Sequence, residues 1–157
     1  MKPKVYIETS VISYLTSRRS RDLLIAAHQE ITLQWWEKHE TEFACCISAL
    51  VEDEIAQGDG VAAAQRIATV RDIPVLRVTE EAIVLSRQLV ASGLVPKSAT
   101  ADALHIAIAA VNNTNILLTW NCKHLANAIL RRRIRVFVES AGYVCPEICT
   151  PDELLEF

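Results

Sequence analysis

Short apolar runs alternate along the chain with longer segments in which apolar residues recur at every third or fourth position. The apolar runs are typical of buried strands and predict them at residues 4–8, 43–47, 73–78 and 116–119, with a last short one around Ile148. The helical spacing predicts helices at residues 20–39, 48–57, 61–71, 79–93, 98–111 and 123–140, the last of them whole or broken. Strands and helices are thus expected to alternate throughout.

Such alternation indicates an α/β fold with a mostly parallel sheet. Because the strands are short continuous apolar runs, we expect helices to cover both faces of a sheet of four to five strands. A length of 157 residues favours a single domain, spanning residues 1–157. Pro74, at the start of the third strand, predicts an edge position, and Ser20 is expected to cap the long helix that follows it.

Four polar residues stand at or just beyond the ends of these apolar elements. Glu8 ends the first strand, Glu54 lies on the helix after the second strand, Asp102 opens an alanine-rich helix, and Asn121 follows the fourth strand. In parallel sheets, sites form beyond the carboxyl ends of the strands, where Glu8 and Asn121 are placed. Buried acids are costly unless they are paired or bind a metal, so the set predicts a cation site and, through it, a reaction.

Composition narrows the class of protein. Hydrophobic residues make up 51% of the chain and charged residues 22%, a globular balance, and no apolar run reaches the length of a membrane span. The start Met-Lys-Pro-Lys has no signal-peptide pattern, so we expect a cytoplasmic protein. An odd count of five cysteines is not a disulfide framework, and their spacing lacks the paired knuckles of structural zinc sites.

The net charge of −3 does not indicate a protein that coats nucleic acid generally. Two arginine clusters, at residues 18–21 and 131–135, leave two interpretations open. They are solvated charges near helix ends or, if they border the acid site, contacts for a phosphate backbone.

Four segments carry a resemblance to PIN domains. Residues 5–12 (VYIETSVI) resemble the opening motif, in which an acid ends the first strand and a Thr or Ser pair follows. Segments 47–58, 101–107 and 117–121 resemble the second, third and fourth motifs in order and spacing. The size also resembles that of the single-domain VapC-like toxins of bacterial toxin–antitoxin pairs.

The resemblance implies a ribonuclease that depends on Mg²⁺ or Mn²⁺ and hydrolyses RNA phosphodiester bonds. By motif match, the catalytic positions are Glu8, Glu54, Asp102 and Asn121, and the metal ligands, direct or through water, are Glu8, Asp102 and Glu54. Supporting polar roles are expected for Thr9, Ser10, Thr119 and His105, and RNA contacts for Lys123, His124 and Arg131. A protein antitoxin and a homodimer are implied as well.

The chain departs from the family pattern at two positions. Glu8 stands where Asp is usual, which moves the carboxylate by on the order of 1.5 Å, about one bond length. Asn121 also stands where Asp is usual, and it keeps an oxygen ligand but loses a charge. These changes keep a second hypothesis open, a PIN-fold module that binds RNA or protein with weakened catalysis. A third is an unrelated α/β protein with structural acids.

Each residue also has a plainer interpretation. Glu8 could cap a helix, Asp102 could stabilise a helix dipole, and Asn121 could belong to an ordinary strand-to-helix turn. His105, three residues after Asp102, could contact phosphate, move a proton or simply pack in the core.

Overall fold

The computed structural model describes residues 1–156, so Phe157, the last residue of the expected domain, lies outside the described part. Five parallel strands form one sheet in the order β3-β2-β1-β4-β5. Their bounds are β1 Lys4–Ile7, β2 Ala44–Ser48, β3 Val75–Leu76, β4 Ile116–Leu118 and β5 Glu147–Cys149. The expected parallel α/β fold is confirmed, and β3 is an edge strand as Pro74 predicted.

Seven α-helices connect these strands within residues 1–156. They are α1 Thr9–Thr16, α2 Leu23–Glu42, α3 Ala49–Ile55, α4 Gly60–Thr69, α5 Glu80–Ala91, α6 Thr100–Val111 and α7 Ala128–Ser140. Short 3₁₀ turns precede α6 at Lys97–Ala99 and follow β5 at Pro151–Leu154.

Three of the differences from the predicted boundaries have an identifiable physical cause. The long helix α2 is capped by Asp22, whose carboxylate accepts from the amides of Leu24 and Ile25, and Ser20 lies before the cap. β3 shrinks to two residues, because an edge strand has only one neighbour to pair with. The last predicted helix begins only at Ala128, after a turn that starts at Asn121.

The strand order reverses between β1 and β4. From β1 the chain moves outward through β2 to β3, and it then returns to the other side of β1 to form β4 and β5. Right-handed crossovers therefore place α1–α4 on one face of the sheet and α5–α7 on the other. A crevice beyond the carboxyl ends of the strands is expected at such a reversal, and Glu8 and Thr119 leave the sheet there.

The core is built from both faces of the central strands. Val5, Tyr6 and Ile7 of β1 are fully buried, as are Leu117 and Leu118 of β4. Helix α6 supplies a nearly continuous buried stretch because it packs against the sheet with its alanine-rich side. In the described part of the chain, no helix is both long and apolar enough to cross a membrane.

Candidate active site

Glu8 lies at the exit of β1 with its side chain almost fully buried. Its Oε2 accepts a hydrogen bond from the Ser10 amide at 3.0 Å, so the carboxylate caps the N-terminus of α1. Its Oε1 accepts from the hydroxyls of Ser10 and Thr119, each at 2.5 Å. The plainer interpretation of Glu8 as a helix cap therefore describes part of its role, and about one of its roughly four acceptor positions stays open.

The two hydroxyls that bind Glu8 are themselves fixed by backbone amides of the chain beyond β4. Ser10 Oγ accepts from the Trp120 amide at 2.8 Å, and Thr119 Oγ1 accepts from the Asn121 amide at 2.9 Å. Because each hydroxyl accepts from an amide, its own proton is directed to the carboxylate. This network joins the ends of β1 and β4 across the point where the strand order reverses.

Glu54 reaches the same edge of the sheet from α3. Its Oε1 accepts from the Thr9 hydroxyl at 2.7 Å and contacts His105 Nε2 at 2.6 Å. Its Oε2 makes no hydrogen bond within residues 1–156. That oxygen is not buried, and the Glu54 side chain is 30% exposed. One oxygen of Glu54 is thus anchored, while the other is open to solvent.

His105 is buried beneath Glu54, and its second nitrogen is also occupied. Its Nδ1 lies 2.7 Å from the Tyr6 hydroxyl, which lies 2.7 Å from Ser48 Oγ. With both ring nitrogens engaged inside the protein, His105 does not present an edge to phosphate. The sequence interpretation assigned no role to Tyr6 or Ser48. The available signal was a tyrosine within an apolar strand, because a buried tyrosine hydroxyl usually has a polar partner.

Asp102 and Asn121 form the opposite side of the site. Asp102 lies in the first turn of α6, and the side chain of Asn121 is near enough to act to lower the pKa of its carboxyl. Asn121 Oδ1 accepts from the His124 amide at 3.0 Å, which leaves the amide nitrogen of Asn121 as the atom available to Asp102. The oxygen that could serve as a metal ligand therefore has one of its two acceptor positions occupied in the turn after β4.

The surroundings shift the pKa values of the two helix-borne acids in opposite directions. Burial raises the pKa of Asp102, and the nearby Glu8 charge adds to the rise, while Asn121 and two histidines offset it only in part. Burial also acts to raise the pKa of Glu54, but the hydrogen bonds from His105 and Thr9 outweigh it and hold that pKa below its ordinary value. Acids whose pKa values are driven apart are a feature of catalytic sites.

The candidate RNA contacts are not all placed alike. Lys123 is exposed and His124 half-buried in the turn next to Asn121, and His124 is close enough to lower the pKa of Asp102. Arg131 instead binds Glu153 at 3.0 Å and the Ile148 carbonyl at 2.9 Å. These bonds tie α7 to the end of the sheet through Nη1 of Arg131, and the side chain remains 31% exposed.

The donors at this edge suit a hard cation. Carboxylate oxygens are the preferred ligands of Mg²⁺ and Mn²⁺. Across residues 1–156, no group of three or more His, Cys, Asp or Glu side chains is placed to hold a metal ion by itself. Magnesium sites often use one or two carboxylates and complete the shell with water and substrate phosphate. Asp102, Glu8 and the open Oε2 of Glu54 fit such a site in donor type.

Comparison with known proteins bears on the fold. No protein-family model and no curated protein matches the sequence. The structure is similar to a chain of the crystal structure of VapBC2 from Rickettsia felis bound to a DNA fragment from their promoter. The TM-score is 0.55 at 11% sequence identity, covering 94% of this chain and 98% of that chain. At this identity the likeness establishes the fold over nearly the whole length of both chains.

Proposed function

We propose that this protein is a VapC-like PIN-domain endoribonuclease that uses Mg²⁺ or Mn²⁺ to hydrolyse RNA phosphodiester bonds. The observation that carries the proposal is the convergence of Glu8, Glu54 and Asp102 at the strand-order reversal. These acids are far apart in the sequence, and folding brings them to one edge. The similarity to a VapBC2 chain supports the proposal through the fold.

The residues divide into distinct tasks. Asp102 and Glu8 would hold the ion, and Glu54 would contribute its open Oε2, directly or through water. The ion supplies charge that offsets the charge developing on the phosphate and favours attack by water. One of these acids would also accept a proton from that water. Ser10 and Thr119 keep Glu8 in place. Lys123 and His124, in the turn next to Asn121, would contact the RNA phosphates.

A second candidate is a PIN-fold module that binds RNA or protein and has weakened catalysis. Two observations favour it: the Asn121 oxygen is engaged with the His124 amide, and no three-carboxylate group is preformed in the described residues. Under this alternative the acids would be dispensable for binding.

The test is cleavage of a mixed RNA pool by the purified protein with Mn²⁺, with EDTA, and after Asp102→Ala substitution. The matched control is Asp53→Ala, because Asp53 is an exposed acid on α3, away from the bonded network. We expect cleavage by the wild type and the control in Mn²⁺, and none with EDTA or Asp102→Ala. A well-folded wild type that binds RNA but leaves it intact would instead support the binding module.

Metal binding is measured independently by thermal unfolding. A ligand at 100 times its Kd stabilises the folded state by about 2.7 kcal/mol, so Mn²⁺ is expected to raise the Tm of the wild type. A Tm that Mn²⁺ leaves unchanged would contradict a carboxylate metal site and point to structural acids.

The proposal extends to a homodimer and an inhibitory protein antitoxin. Large apolar side chains stand exposed at the start of α2 and on α7, namely Leu23, Leu24, Ile129 and Val136. Light scattering is expected to give about twice the 17.5 kDa chain mass. A monomer at micromolar concentration would overturn the dimer and leave the site proposal in place.

A further inference from the structure

A chain of hydrogen bonds runs beneath the candidate site through three side chains that are almost completely buried. Ser48 ends β2, Tyr6 lies in β1, and His105 lies on α6, and none of the three is more than 1% exposed. The successive contacts are Ser48 Oγ to Tyr6 Oη at 2.7 Å and Tyr6 Oη to His105 Nδ1 at 2.7 Å. The chain ends at Glu54, whose Oε1 lies 2.6 Å from His105 Nε2.

One direction of hydrogen bonding fits every partner in this chain when the imidazole is neutral. Ser48 Oγ accepts from the Val51 amide at 3.3 Å and keeps its own proton to donate to Tyr6. Burial raises the pKa of Tyr6, so the phenol keeps its proton, and that proton points to His105 Nδ1. Nδ1 is then an acceptor, and the proton of a neutral imidazole must be on Nε2, where it is donated to Glu54.

The chain begins and ends on the same helix. Ser48 is the N-cap of α3, and Glu54 lies near the end of that seven-residue helix. The route between them passes through β1 and α6, so it ties α3 to both the sheet and the opposite helix layer. Because Thr9 and His105 both bind Oε1, the carboxylate is held with Oε2 outward.

We propose that Ser48, Tyr6 and His105 are positioning residues, which lock one imidazole tautomer and thereby orient Glu54 with Oε2 toward the candidate metal site. The inference rests on the proposed function for its catalytic consequence, but the tautomer itself is a property of the metal-free protein. None of the three residues touches the metal or RNA; each acts through Glu54.

The first experiment reads the tautomer directly, by ¹⁵N NMR of metal-free protein labelled at histidine. The chain has four histidines, and the signal lost in His105→Gln identifies His105. At neutral pH we expect a protonated Nε2 and an unprotonated, hydrogen-bonded Nδ1. A protonated Nδ1, or averaging between tautomers, in the wild-type protein would overturn the inference.

The second experiment compares Tyr6→Phe with Tyr143→Phe. Each removes one tyrosine hydroxyl that contacts a polar side chain, but Tyr143 bonds the exposed Glu81, outside the site. Loss of a group that orients a metal ligand typically costs 10–100-fold, so Tyr6→Phe is expected to weaken Mn²⁺ binding by about tenfold in calorimetry. We expect kcat to fall to a similar extent with the KM for RNA unchanged, and Tyr143→Phe to match the wild type.

His105→Gln and His105→Leu separate positioning from packing. Gln retains an N–H donor for Glu54, whereas Leu fills the space without one, so we expect Gln to keep more Mn²⁺ affinity than Leu. Equal affinities in the two folded variants would overturn the inference. A wild type that shows the expected tautomer yet neither binds Mn²⁺ nor cleaves RNA would refute the proposed function and the catalytic consequence, while supporting the locked imidazole.

Discussion

Glu54 and Asp102 are both half-buried acids on helices at one edge of the sheet, but the protein treats them differently. Glu54 has two donors on one oxygen, and its pKa is lowered despite burial. Burial and the nearby Glu8 charge raise the pKa of Asp102, and the Asn121 side chain offsets the rise only in part. The comparison shows that the hydrogen-bond donors at this edge of the sheet bind Glu54 and Glu8. The negative charge of Asp102 is the least compensated of the three and would gain most from a cation.

The strongest test of this contrast is Glu54→Gln. The substitution leaves the His105 and Thr9 donors facing a neutral amide, and hydrogen bonds to charged groups are worth about 1.5–3 kcal/mol each. We expect the free energy of unfolding at pH 7 to fall by about 2 kcal/mol, as measured by urea denaturation. Glu52→Gln, at an exposed position of the same helix, serves as the control and should change stability by less than about 0.5 kcal/mol. A loss no larger than that of the control would remove the distinction between the two acids.

The opposite sign is expected for Asp102→Asn. Asparagine keeps an oxygen for the Asn121 amide and removes a charge that burial and Glu8 disfavour. Stabilising substitutions, among them those that optimise charge, commonly give about 0.5–2 kcal/mol, so we expect the metal-free variant to be more stable than the wild type by about 1 kcal/mol. Thermal unfolding in EDTA, with Asp53→Asn as the surface control, measures this difference. A destabilised Asp102→Asn would mean that the charge of Asp102 is well compensated in the wild type.

The smallest expected effect is the pH dependence of the stability differences that Glu54→Gln and Asp102→Asn cause. Glu54 has a lowered folded-state pKa, so its stabilising contribution is complete above its ordinary value of 4.5 and is lost as the pH falls through the folded-state value. Asp102 has a raised folded-state pKa, so its unfavourable contribution is absent below 3.8 and grows as the pH rises through the raised value. The stability differences of both variants from the wild type, measured by denaturation from neutral to acidic pH, should therefore shrink as the pH falls. Differences that do not shrink in acid would assign the effects to packing.

Much of the fold followed from local pattern. Apolar runs and helical spacing located the strands and most helices, because burial on both faces of a parallel sheet requires continuous apolar residues in β1 and β4. The errors were at boundaries set by a few hydrogen bonds. Asp22 caps α2 instead of Ser20, because the Asp22 carboxylate, rather than the serine hydroxyl, accepts hydrogen bonds from the first free amides of the helix.

The sequence predicted the residues of the candidate site but only part of their contacts. The order of motifs pointed to Glu8, Glu54, Asp102 and Asn121, and the fold brings them to one edge. The plainer interpretations of two of these residues hold as well, because Glu8 caps α1 and the Asn121 oxygen accepts a hydrogen bond in the turn after β4. Arg131 also belonged to the expected RNA contacts, yet it is engaged by Glu153, a partner that only folding brings near.

By itself, the sequence determined the α/β architecture and the identity of the acids at the strand ends, since periodicity and chain order are local properties. The tertiary structure alone decided which oxygen of Glu54 is anchored and in which directions the pKa values of Glu54 and Asp102 are shifted. The reason is that the deciding partners are distant in sequence: Tyr6 and His105 are 99 residues apart, and Glu8 and Thr119 are separated by 111. Hydrogen-bond direction and desolvation depend on such contacts, which exist only once the sheet and both helix layers have assembled.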